Sequence, residues 1–128
     1  MATGVAGPQG RVDIVLDMAT ATVAASETFS IRVTRAFRVV GVTVLCEATI
    51  ANGAVEVFKG ASTVTGGTVP CAVLNAVSNG GIVTSAATFA VGDTLNITVT
   101  APAGGVQGIV IVRTVPLPLA NQSTITGA

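Results

Sequence analysis

The stretch from Thr94 to Thr100 reads TLNITVT and alternates strictly between polar and apolar residues. Successive side chains of a strand point to opposite faces, so Leu95, Ile97 and Val99 share one face and the polar residues occupy the other. This pattern predicts a half-buried strand of an antiparallel sheet. No window of the chain shows a comparable helical periodicity.

The same alternation recurs along most of the chain, at 11–18, 28–34 and 55–57. By contrast, 37–46 and 109–115 are nearly continuous apolar runs, which indicate central strands or strands covered on both faces. Turn signals rich in Gly and Asn separate these runs at intervals of about 8–15 residues, a spacing typical of all-β folds. The sequence therefore predicts a single, jelly-roll-like β-sandwich of about eight antiparallel strands.

The two ends of the chain differ from the middle. Residues 1–10 are small and Gly-rich, and 115–128 begins with alternate prolines, which exclude a central strand there. We therefore expect an extended N-terminal arm at 1–10, a sandwich domain at 11–114 and an extended C-terminal segment at 115–128. Leu117 and Leu119 would be exposed in a lone monomer, which makes them candidates for self-association. A disordered tail is the alternative interpretation.

Charge is scarce in this chain. Only 9% of the residues are charged, against about 25% in an ordinary soluble domain, while the mean hydropathy is +0.78 and the formal net charge is zero. The surface is either an uncharged one of Thr, Ser, Asn and Gly, or one that neighbouring subunits largely cover. A net charge of zero favours association. Without a basic cluster, it also argues against a nucleic-acid partner.

No membrane association is expected from the sequence. It contains no apolar stretch of about 18 residues and no cationic amphipathic segment. The opening MATGVAGPQGR lacks the charged and apolar regions of a signal peptide. We therefore expect synthesis in a reducing cytoplasm, with Cys46 and Cys71 as free thiols and Cys46 as a small buried apolar residue.

Few residues could carry catalysis. The chain has no His, which removes His-activated Ser or Cys nucleophiles and most zinc sites. Asp13 and Asp17 share one strand face, where a solvated row is a simpler interpretation than an acid–base pair. The sequence therefore predicts a protein without catalytic residues, metal ligands or a cofactor.

Three arginines are candidates for a protein interface. Arg32, Arg35 and Arg38 lie around a presumed connection between two strands. They could pair with acidic groups of a partner. The alternative is pairing with Glu27 or Asp17 of the same chain.

Phe58 is the best single candidate for an interface anchor. It is out of phase with the valines at 55 and 57, which predicts that its ring faces outward. A carbohydrate-binding sandwich is a competing interpretation of the chain. Sugar platforms usually need exposed Trp or Tyr, and the sequence contains neither.

Four short motifs follow one another along the chain: TRAFRVVGVTV at 34–44, VEVFKGA at 55–61, FAVGDTL at 89–95 and GIVIV at 108–112. Their order over residues 11–114 resembles the small decoration proteins of tailed bacteriophages, which are also described as cement or head-fibre-like proteins. In that family a Val-x-Val run precedes a Val-x-Val-x-x-Gly strand, and a Gly-Asp-x-Leu turn opens the penultimate strand.

The resemblance implies a virion structural protein, made in the host cytoplasm, that binds the outer capsid surface as a homotrimer and cements neighbouring copies of the major capsid protein. It also implies that the terminal arms reach coat subunits, but it carries over no contact motif. Within the N-terminal arm, we take Ala2, Val5, Pro8 and Gln9 as candidate contacts. One alternative is another phage tail, spike or baseplate component. The other is a cell-surface carbohydrate-binding module.

Overall fold

The computed structural model describes residues 2–6, 11–18, 25–49, 52–101 and 105–117. In this part of the chain, eleven β-strands form two antiparallel sheets, and one short 3-10 turn spans Thr84–Ala86. The predicted all-β sandwich is confirmed. In chain order the strands are β1 (Ala2–Ala6), β2 (Arg11–Asp17), β3 (Glu27–Arg32), β4 (Phe37–Cys46), β5 (Ala54–Lys59), β6 (Ser62–Thr63), β7 (Val69–Pro70), β8 (Val77–Gly80), β9 (Thr88–Phe89), β10 (Thr94–Thr100) and β11 (Gly108–Pro116).

Strand pairing in the sandwich is nested. The larger sheet has the order β1-β2-β11-β4-β8, with β9 also paired to β4, and the smaller sheet has the order β3-β10-β5-β6, with β7 also paired to β5. Partner strands therefore lie one pair inside another along the sequence. From the outermost pair inward they are β2 with β11, β3 with β10, β4 with β8, and β5 with β6 and β7. A long hairpin rolled over in this way produces the jelly-roll arrangement.

The predicted number of about eight strands agrees with the structure when the strands of only two residues are left out. Eight of the eleven strands contain four or more residues. One of those eight is β1, which lies in the segment predicted as an arm. Residues 2–6 of that segment pair antiparallel with β2, so that Gly4 lies opposite Asp13.

The last strand extends past Thr114, the predicted end of the domain. Val115 and Pro116 continue β11 opposite Arg38 and Phe37. Pro116 is the final residue of the strand, where its missing N–H ends the ladder.

The core lies between the two sheets. Leu95, Ile97 and Val99 are fully buried, so the face predicted from the alternation in β10 is confirmed. Phe89 is the largest fully buried side chain, and its ring stacks on that of Phe37 with 5.0 Å between the centroids. The core is therefore mainly aliphatic, with one aromatic pair near the start of β4.

The continuous apolar runs form the middle of the larger sheet, as predicted. β11 lies between β2 and β4, and residues 41–44 of β4 are buried on both faces. On the outer face, Thr43 Oγ1 donates to Asn79 Oδ1 (2.7 Å). The guanidinium of Arg113 lies over Gly41, where an added Cβ would come within 2.9 Å of Nη2.

Candidate interaction surfaces

The outer face of the smaller sheet is polar. Its outward side chains form cross-strand hydrogen bonds: Thr28 with Thr98 (3.1 Å), Ser30 with Asn96 (2.6 Å) and Thr63 with Glu56 (2.8 Å). Such pairs satisfy polar atoms within the sheet and leave the remaining lone pairs to water. These polar groups therefore have hydrogen-bond partners within the sheet.

The middle of the outer face of the larger sheet carries an apolar patch. The register places Val15, Ile111, Thr43 and Asn79 side by side across β2, β11, β4 and β8. The next row contains Asp17 at its β2 end, followed by Ile109, Leu45 and Val77. Val77 is 59% exposed and the other apolar members are half-buried. We define the apolar face as the outward side chains of Val15, Leu45, Val77, Ile109 and Ile111.

A charged row borders the apolar face. Asp13 lies opposite Arg113, which lies opposite Gly41 on the next strand. Asp13 Oδ1 is buried and has no hydrogen-bond partner among the described residues. Asp13 and Asp17 share the outer face of β2 as predicted, but Val15 lies between them.

The three arginines predicted as interface residues lie at one end of the sandwich. Arg32 ends β3, Arg35 is in the connection that follows, and Arg38 is the second residue of β4; all three are exposed. The fold adds Lys59, whose Nζ donates to the carbonyl of Thr88 (3.1 Å), the residue paired with Arg38. We define the arginine end by Arg32, Arg35, Arg38 and Lys59.

Carboxylates gather at the opposite end. Glu27 begins β3, Asp17 ends β2, and Glu47 follows β4, where its N–H donates to the carbonyl of Gln107 (3.0 Å). All three carboxylate side chains are exposed. We define the acidic end by Asp17, Glu27 and Glu47. The net charge of zero therefore conceals a separation, because four of the six basic residues lie at one end and three of the six acidic residues lie at the other.

This separation bears on the alternative that the arginines pair with Glu27 or Asp17 within the chain. Arg32 and Glu27 occupy opposite ends of β3, about 16 Å apart at 3.3 Å per residue. Asp17 lies in the row of Leu45, seven residues along β4 from Arg38. The alternative that Glu27 or Asp17 neutralises the arginines within the chain is therefore wrong, since an ion pair requires contact. Periodicity could not reveal this, because it does not specify which strand ends meet.

Phe58 faces outward, as predicted. It lies on the outer face of the smaller sheet between Asn96 and Thr63, and it is half-buried. It is therefore on the opposite side of the sandwich from the apolar face. Asn96 Nδ2 donates to the carbonyl of Gly60 (3.2 Å), which fixes the turn beside this ring.

The remaining predicted contact residues lie near the chain ends. Ala2 and Val5 belong to β1 and pair with Val15 and Val12 of β2. Leu117, predicted to be exposed in a lone monomer, is half-buried, and its N–H donates to the carbonyl of Ala36 (3.1 Å). The other three predicted residues lie outside the described part of the chain: Pro8, Gln9 and Leu119.

The two thiols are free and buried, which confirms the burial predicted for Cys46. Burial, together with the neighbouring Cys46, raises the pKa of Cys71 to about 12. A thiol with so high a pKa is a poor nucleophile near neutral pH. The described residues contain no group of three or more His, Cys, Asp or Glu that could hold a metal ion. None of their helices is long and apolar enough to cross a membrane.

Comparison of the chain with protein-family models, curated proteins and solved structures found no match.

Proposed function

We propose that the protein is a virion structural component that binds the outside of a phage capsid as a homotrimer and cements neighbouring major capsid proteins. The observation that carries this proposal is the difference between the two outer faces of the sandwich. One face satisfies its polar groups within the sheet, while the other presents five apolar side chains.

The apolar face favours contact with another protein subunit. Val15, Ile109 and Ile111 are β-branched and stand on neighbouring strands, so they form a continuous surface that packs well against a second one. Complete burial of one such side chain contributes about 1.5–3 kcal/mol. Burial of the exposed parts of all five contributes on the order of several kcal/mol to an association.

The fold is compatible with this role but does not establish it. Double-sheet jelly rolls occur in viral capsid domains and also in lectin domains and cupins. A fold alone does not determine function. The support comes from the sequence resemblance and from the presence of an apolar face on only one of the two sheets. We propose that this apolar face packs between copies in the trimer.

One observation favours the carbohydrate-binding alternative. Phe58 lies between Asn96 and Thr63, a ring flanked by hydrogen-bonding side chains. A sugar could stack on this ring, although the half-buried position leaves a small platform. Binding of the purified protein to a glycan array would support this alternative and contradict the capsid proposal if no shell binding accompanied it.

The experiment has two parts. Light scattering measures the mass of the purified protein, and co-sedimentation measures its binding to DNA-filled capsids of the encoding phage that lack the protein. A trimeric mass with saturable binding to the shells is the expected result. A protein that does not sediment with shells contradicts the proposal, and gold label confined to the tails of virions indicates a tail or baseplate component.

A further inference from the structure

We propose that the arginine end docks on an acidic surface of a partner protein, so that the trimer approaches the shell with this end. The inference rests on the proposed function and deepens it, because it gives the chemistry of the coat surface and the orientation of the bound subunit.

The positive charge belongs to the end of the sandwich and not to one face. Arg32 is on the smaller sheet, Arg38 is on the larger sheet, and Arg35 is on the connection between them. Lys59 joins the two sheets through its bond to Thr88. A partner that approaches along the strands therefore meets cations from both sheets at once.

Little opposing charge is present at this end. In the described part of the arginine end, Asp93 is the one carboxylate, and its Oδ2 accepts a hydrogen bond from the N–H of Ala90 (2.8 Å). That bond holds the turn before β10. The guanidinium groups of Arg32, Arg35 and Arg38 are exposed and can form paired hydrogen bonds with carboxylates of a partner.

The acidic end determines which end of the subunit faces an acidic partner surface. Arg38 and Glu47 are nine residues apart along β4 and its continuation, or about 30 Å at 3.3 Å per residue. This distance exceeds the Debye length of about 8 Å at physiological ionic strength, so each end acts on a partner independently. An acidic surface attracts the arginine end and repels Asp17, Glu27 and Glu47.

Cyclic symmetry increases the number of arginine ends that face the shell. Rotation about a three-fold axis leaves the same end of every copy on the same side when the strands run along the axis. A trimer then presents three arginine ends to the shell. Each exposed ion pair is weak, but three linked sites bind with greater avidity than one.

The arrangement fits a protein surface better than a nucleic acid. Nucleic-acid binding usually uses a continuous basic track along the phosphate backbone. Here the four cations of the arginine end lie around one end of the β-sandwich, and Asp93 lies among them. We therefore assign the partner as a carboxylate-bearing protein surface.

The test compares two charge-neutralised variants with the wild type. R32Q/R35Q/R38Q removes exposed charge from the arginine end, and D17N/E27Q/E47Q makes the matched change at the acidic end. Each protein is measured for binding to capsids that lack it, to poly-L-glutamate and to single-stranded DNA, between 50 mM and 300 mM salt. Circular dichroism and light scattering verify that fold and mass are unchanged.

We expect the arginine variant to bind capsids and poly-L-glutamate at least tenfold more weakly, with a flatter dependence on salt, while the acidic-end variant binds as well as the wild type or better. Undiminished capsid binding by the arginine variant overturns the inference and leaves the proposed function standing. Arginine-dependent retention on poly-L-glutamate without capsid binding by the wild type supports the acidic partner and overturns the proposed function. Stronger arginine-dependent binding to DNA than to poly-L-glutamate overturns the assignment of a protein partner.

Discussion

Cys46 and Cys71 are neighbours in the core, although they come from different sheets. Cys46 is the last residue of β4 in the larger sheet, and Cys71 directly follows β7 in the smaller one. The Cys46 thiol donates to the carbonyl of Ala48 (3.0 Å) and the Cys71 thiol donates to that of Gln107 (3.5 Å). The pair therefore connects the two sheets near the acidic end without a covalent bond.

Both thiols should be inert in the folded protein. Ellman's reagent at pH 8 should modify neither Cys46 nor Cys71, because both are buried and the pKa of Cys71 is raised to about 12. Two equivalents should react once guanidinium chloride unfolds the chain. A rapid reaction of one equivalent in native buffer would show that this end of the core opens easily.

Stability should fall in alkaline solution. Burial raises the folded-state pKa of Cys71 from 9.0 to about 12, so above pH 9 the unfolded chain loses this proton first. The contribution is complete below pH 9 and is lost as pH rises towards 12. Urea unfolding at pH 8, 10 and 11 should show a steeper decline for the wild type than for Cys71→Ala. Parallel declines would assign the alkaline loss to other groups.

Phe89 should be the most costly aromatic ring to remove. Phe89→Ala deletes a fully buried ring that stacks on Phe37, and we expect a loss of about 3–5 kcal/mol in the free energy of unfolding. Phe58→Ala is the matched control, because the same side chain is half-buried on the outer face. Urea denaturation of the two variants measures the difference, and equal losses would contradict the assignment of the core.

Gly108 should not tolerate a side chain. A Cβ at this position would lie 2.2 Å from the carbonyl oxygen of Leu45, which is backbone in the central strand β4. Gly108→Ala should therefore destabilise the sandwich by several kcal/mol, on the order of the largest single-residue effects. Gly81→Ala is the control, since its nearest neighbour would be the Thr65 carbonyl at 3.9 Å. Melting temperatures that fall equally in both variants would contradict this prediction.

The apolar face should be required for self-association. Ile111→Lys places a charge at the centre of this face, and light scattering should show a shift from trimer towards monomer. Thr98→Lys makes the same addition on the polar outer face and should leave the mass unchanged. An unaltered trimer in Ile111→Lys would show that copies contact one another elsewhere. A monomeric wild type would contradict the proposed trimer.

Local sequence patterns predicted the strands more successfully than the surfaces. Alternation identified β10 and its buried face, and continuous apolar runs identified β4 and β11 as central strands, because side-chain period and burial are local properties. The segment ATGVA of β1 carries no such signal. It becomes a strand by pairing with β2, which is a property of the assembled sheet.

The two charged ends could not be predicted in the same way. Arg32, Arg38 and Lys59 come from three strands, and only the strand order places them at one end. The sequence therefore indicated three arginines near a connection, while the contribution of Lys59 and the opposite group of carboxylates required the fold. The zero net charge concealed both groups.

The nested pairing of strands also determines when the molecule can fold during synthesis. β2 must remain without its β11 neighbour until the ribosome has made almost a hundred further residues, and only pairs that are close in sequence, such as β1 with β2 and β5 with β6, can form early. Loop closure over such separations is slow. Until β11 has been made, the apolar strands of the larger sheet remain unpaired and can associate with other unfolded chains, so aggregation is the main hazard of this topology.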